Sequence, residues 1–121
     1  MAEFKDITKD NFDTDVLASK GLTLIYFYTA WSKQCQEADE ILQTAATEVD
    51  GQMEIVRVNT DLQQEIVAQQ KVRTIPLFQV LKAGKVIEVL RGVPSKLELI
   101  GMLSNVISEH GTEESSGEEL A

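Results

Sequence analysis

Five consecutive residues, Trp31-Ser32-Lys33-Gln34-Cys35, hold the side chains best placed to do chemistry in this chain. Two cysteines one helical turn apart, C-x-x-C between a strand and a helix, would form a thiol redox site. Here only the second cysteine position is filled, and Ser32 stands at the first. Disulfide reduction by such a pair takes two steps: an exposed thiolate attacks the target, then the second cysteine resolves the mixed disulfide. The attacking thiol belongs at the helix start, where unpaired backbone N–H groups and the helix dipole stabilise its anion. A serine hydroxyl is not a competent disulfide nucleophile, and no histidine precedes His110 to activate it. Ser32 is better suited to cap the helix, accepting from a backbone N–H two or three residues on.

Cys35 falls about one turn inside that helix, on its apolar side, and two readings stay open for it. It is a small buried hydrophobe, or it is a single reactive thiol used in mixed-disulfide or glutathione chemistry. Burial raises a thiol pKa and a helix N-terminus lowers it, so the two influences oppose each other. As the only cysteine, Cys35 excludes an intramolecular disulfide and a self-contained dithiol cycle. One Cys and one His cannot build a four-ligand zinc site, so neither metal nor cofactor is expected.

The elements around this turn come from periodicity and punctuation. Leu22 to Tyr28 is nearly continuously apolar and aromatic, as in a strand buried on both faces. Gln34 to Val49 carries Cys35, Ala38, Ile41, Leu42, Ala45, Ala46 and Val49 on one helical stripe, closed by Asp50-Gly51. Upstream, Glu3 to Ile7 alternates like a short strand, and Asn11 to Ser19 has Phe12, Val16 and Leu17 at helical spacing. Downstream, Glu54 to Asn59 is a second central strand, and Leu62 to Gln70 is a helix with Thr60 or Asp61 placed to cap it. Leu77 to Lys82 and Lys85 to Arg91 flank Ala83-Gly84 as a β-hairpin. Ser95 and Glu98 have capping-box spacing ahead of a last helix through Ile107.

The chain of 121 residues is one domain by length, long enough to bury a core without metal or disulfide. No stretch approaches the roughly 20 apolar residues of a membrane helix, and Met1 to Asp10 is too polar for a signal peptide. With a single cysteine, this predicts a cytoplasmic protein or one of a reducing organelle lumen. The net charge is −9, and five of the acidic residues follow Ile107. Ser108 to Ala121 is therefore predicted to be an acidic flexible tail, with His110 solvent-exposed, after a domain over residues 1–107. An acidic chain without a basic stripe excludes nucleic acid and anionic membrane as ready partners.

This element order, with an aromatic-led S-x-x-C turn after the second strand, resembles the thioredoxin family over about residues 3–107. Asn11 to Leu17 resembles the family's first helix, and Trp31 the tryptophan before its active-site turn. Thr74-Ile75-Pro76 resembles the cis-proline loop, and Arg91-Gly92-Val93 the glycine loop that closes the substrate groove. The resemblance implies an α/β fold with a central mixed sheet of about five strands and helices on both faces. It also implies a groove lined by Trp31, Ser32, Thr74, Ile75, Pro76, Gly92 and Val93. There the Ile75 backbone would pair with an extended protein or peptide partner by β-strand addition, with Trp31, Ile75, Pro76 and Val93 as an apolar rim.

The departures from the family bear on function. Its two-cysteine motif is replaced by Ser32-Lys33-Gln34-Cys35, its buried carboxylate corresponds to Tyr26, and the lysine beside that acid is replaced by Arg57. The proton acceptor that would serve Cys35 is thus absent. A natural S-x-x-C turn in such a domain resembles the N-terminal domain of the bacterial chaperedoxins, which act as holdases. Three functional classes follow: a non-dithiol binding module, a single-thiol redox protein using Cys35, or a structural subunit for which the fold is a scaffold.

Overall fold

A computed structural model describes residues 4–110 of the chain. The strands are β1 (Lys5–Asp6), β2 (Leu22–Tyr28), β3 (Glu54–Asn59), β4 (Leu77–Lys82) and β5 (Lys85–Arg91). The helices are α1 (Lys33–Glu48), α2 (Gln64–Gln69) and α3 (Lys96–His110). The sheet runs β1-β3-β2-β4-β5, with β3 parallel to both β1 and β2, and β4 antiparallel to β2 and β5. This is the five-stranded mixed sheet with helices on both faces that the sequence predicts. Among the described residues, no helix is long and apolar enough to cross a membrane.

β2 is apolar almost throughout because it has a neighbour on each edge and a layer on each face. Leu22, Leu24 and Tyr26 of β2 join Phe78 and Val80 of β4 beneath α1 (Ala38, Leu42, Ala45) and α3 (Leu99, Leu103, Val106). Ile25 and Phe27 point the other way, with Val56, Val58, Leu77 and Leu81, against Ile66 of α2 and the anchors Phe12 and Val16. Each fully buried side chain of this size contributes about 1.5–3 kcal/mol, which outweighs local helix propensity. The segment Asn11–Ser19 shows it. Instead of a regular helix it forms one wide turn, Asp13–Leu17, closed by Ala18 N–H donating to the Asp13 carbonyl at 2.9 Å. Phe12 and Val16 are still buried by that turn.

The hairpin turn places Ala83 and Gly84 at positive φ, as a two-residue connection of right-twisted strands requires. A Cβ on Gly84 would stand 2.8 Å from the Leu17 carbonyl oxygen, so the hairpin also needs glycine to close against the first turn. The capping box forms as predicted. Glu98 N–H donates to Ser95 Oγ at 3.1 Å, and Ser95 N–H to Glu98 Oε1 at 3.3 Å.

Other expectations need correction. α3 continues past Ile107 to His110, whose carbonyl accepts from Lys82 Nζ at 2.7 Å, so Ser108–His110 belong to the helix and not to a tail. His110 is half-buried rather than exposed. The remainder of the predicted tail lies outside the described residues. α2 begins at Gln64, with no side-chain cap at its N-terminus. Thr60 and Asp61 are used elsewhere: Thr60 Oγ1 donates to the Tyr28 carbonyl at 3.1 Å, and Asp61 serves the site described next.

Candidate functional site

Strand register brings the predicted residues to one end of the sheet. Phe27 of β2 pairs with Leu77 of β4, and Leu77 with Arg91 of β5. Trp31, which follows β2, therefore emerges at the same end as Pro76, which precedes β4, and Gly92, which follows β5. Tyr28 pairs with Asn59, so the loop through Asp61 leaves β3 at this end too. The Gly92 N–H donates to the Pro76 carbonyl at 2.9 Å, tying two of these loops together. Gly92 has φ +81°, a conformation that favours glycine.

Ser32 caps α1. Its backbone is extended and its Oγ accepts from the Cys35 N–H at 3.2 Å. Trp31, just before the cap, is 75% exposed. It is oriented rather than loose, because its indole Nε1–H donates to Asp61 Oδ2 at 2.9 Å. Thr74 and Val93 are exposed and Ile75 is half-buried. The Ile75–Pro76 peptide bond is cis. Pro76 departs from the expected rim: its side chain is buried, so the apolar rim is made by Trp31, Ile75 and Val93.

The interior half of the turn is closed. Cys35 is 2% exposed, and its Sγ accepts from the Thr29 N–H at 3.5 Å. Tyr26 donates its hydroxyl to the Cys35 carbonyl at 2.6 Å. The Tyr26 ring stacks on Tyr28 and Phe78, with centroids 5.4 and 5.2 Å away, and the Arg57 guanidinium lies 5.2 Å from the Tyr28 centroid. Arg57 is held from outside by Asp6, its Nε donating to Oδ1 at 2.6 Å. Burial pushes the Tyr26 phenol well above the ordinary tyrosine value, with the nearby Cys35 and Asp39 acting in the same direction. Tyr26 stays protonated at neutral pH, so it is a hydrogen-bond donor to the Cys35 backbone and not a base for its thiol. An open cleft of about 400 Å³ lies beside this stack, with Tyr28, Cys35, Asp39 and Arg57 in its wall.

The site therefore presents Trp31 and Val93 at the surface, with the thiol of Cys35 buried in the same turn as Trp31. Among the described residues no group of three or more His, Cys, Asp or Glu is arranged to hold a metal ion. Sequence reasoning missed Asp61 as the partner of Trp31 and Arg57 as the cation over Tyr28. The signal for Asp61 was its place just after β3, since loops at the C-terminal ends of parallel strands gather around the site in α/β sheets.

Comparison with known proteins agrees with this fold. The sequence profile of the Thioredoxin family matches residues 3–105. The chain is 34% identical over 96 residues to a thioredoxin of Streptomyces clavuligerus, covering 79% of this chain and 89% of that protein. It is 28% identical over 108 residues to a thioredoxin of Chlorobaculum thiosulfatiphilum, covering 89% and 96%. To thioredoxin 2 of Chlorobaculum tepidum it is 26% identical over 108 residues, covering 89% and 95%.

Proposed function

The chain belongs to the thioredoxin family, and from that premise we propose that it is a non-dithiol binding module. It holds an extended segment of a partner or of an unfolded protein in the groove beside Trp31 and Pro76. One observation carries this reading: within one turn Trp31 is 75% exposed while Cys35, the only cysteine, is 2% exposed. An extended segment docking there gains backbone hydrogen bonds of about 0.5–1.5 kcal/mol each and covers the Trp31 ring. A thiol held this way suits a reducing compartment, the cytoplasm or a reducing organelle lumen.

The second reading, a single-thiol protein using Cys35 for a mixed disulfide or glutathione, is favoured by the cleft that reaches the Cys35 wall. Thiol labelling separates the two. Cys35 of the native chain is expected to react with dithionitrobenzoate at least about a hundredfold more slowly than in urea, because reaction waits on local opening. Labelling at the urea rate, or catalysis of insulin reduction by dithiothreitol, would reject the binding-module reading in favour of thiol chemistry.

A further inference from the structure

The groove reading leaves the class of segment open, and resting on that reading we propose that the groove selects an acidic extended segment. The three segments around it, residues 31–36, 71–76 and 91–96, carry Lys33, Lys71, Arg73, Arg91 and Lys96. Those segments hold five of the eleven basic residues of the chain and none of its 20 Asp and Glu. All five cations are exposed. None is in an ion pair among the described residues, where the ion pairs are Lys5–Asp15 and Arg57–Asp6.

Carboxylates also stand close to these segments: Asp61, Glu37 and Glu98, with Asp39 and Glu40 in the cleft beside Cys35 and Gln36. Asp61 already accepts from the Trp31 indole, and Glu98 is turned back onto the Ser95 N–H. Glu37 sits one turn into α1. The rest of a chain of net charge −9 is thus anionic, while its partner-facing end is cationic. Salt limits the reach of the anionic remainder to about 8–10 Å, so a docked segment responds mainly to the charges lining the groove. A peptide fits better than a nucleic acid. The apolar rim of Trp31, Ile75 and Val93 asks for side chains between the carboxylates, and the overall negative charge repels a polyanion longer than the groove.

Trp31 is the only tryptophan, so its emission reports occupancy of the rim. Three peptides of equal length, each with a Val-Leu centre flanked by Glu, Gln or Lys, are titrated into the full chain in low salt. The Glu peptide is expected to bind about tenfold more tightly than the Gln peptide, with the Lys peptide weakest, from several exposed pairs acting together. In about 0.5 M salt the gap should close to within about twofold. Arg73→Glu with Arg91→Glu should reverse the order of the Glu and Lys peptides. Lys71→Glu with Lys96→Glu serves as a second variant, the fold of each being checked by circular dichroism. Equal or tighter binding of the Gln or Lys peptide to the unmodified chain overturns the acidic preference and leaves the groove standing. Tighter binding of a single-stranded oligonucleotide than of the Glu peptide also overturns it. No change in Trp31 emission with any peptide overturns the groove as well.

Discussion

Trp31 and Cys35 are four positions apart in one turn and belong to different parts of the molecule. Trp31 is three-quarters exposed and is steadied from another loop by Asp61. Cys35 is buried in the first turn of α1, with its carbonyl taken by the Tyr26 hydroxyl. The outer half of the turn offers a surface, while the inner half has become part of an aromatic core built on Tyr26, Tyr28 and Phe78. Stacked rings add about 0.5–1.5 kcal/mol per pair beyond their area, yet a neutral phenol cannot take a proton from a thiol. The exposed and the buried sides of this turn are therefore held by different contacts.

The comparison is broken most forcefully from the inside. Tyr26→Ala empties the centre of the stack and should cost about 3–5 kcal/mol in urea unfolding. A cost below 1 kcal/mol would mean that the aromatic core does not hold the turn. Tyr26→Phe keeps the ring and removes only the bond to Cys35, for about 1 kcal/mol at neutral pH. Its pH dependence follows from the raised Tyr26 pKa. The folded state favours the neutral phenol, so this stabilisation is complete below the unfolded tyrosine value of about 10 and is lost as pH rises through the folded value. The advantage of the unmodified chain over Tyr26→Phe should thus narrow above pH 10, measured as the difference between their unfolding midpoints.

Ser32→Ala tests the boundary between the two halves. It removes the cap on the Cys35 N–H and should cost about 1 kcal/mol, with Cys35 labelling faster as the start of α1 frays. Trp31→Ala should have the smallest effect on stability, within about 0.5 kcal/mol, while abolishing peptide binding. A large stability loss there would make Trp31 a core residue and erase the contrast.

Much of the fold was legible in the sequence. β2, β3 and both hairpin strands keep the bounds that their apolar runs and turn residues set, because strand burial and the Ala83-Gly84 turn are written locally. The Ser32 cap and the Ser95–Glu98 box were legible for the same reason, each joining groups three residues apart. Contacts across long separations were not. Asp61 looks like a helix cap beside Leu62, yet it lies 30 positions from the indole that it binds. The last turn of α3 looked like tail by composition, yet Lys82 of β4 reaches the His110 carbonyl. Pro76 looked like rim and is buried.

The sequence by itself determined that this chain forms no disulfide within itself, since it holds a single cysteine. It also determined the strand and helix order, which follows from local periodicity. Only the tertiary structure decided which side of the turn faces solvent. The exposure of Trp31 and the burial of Cys35 depend on how α1 lies across β2 and β4, and on which loops the register of the sheet gathers at one end. Those are sums over many weak contacts between distant residues, and no short stretch of sequence contains them.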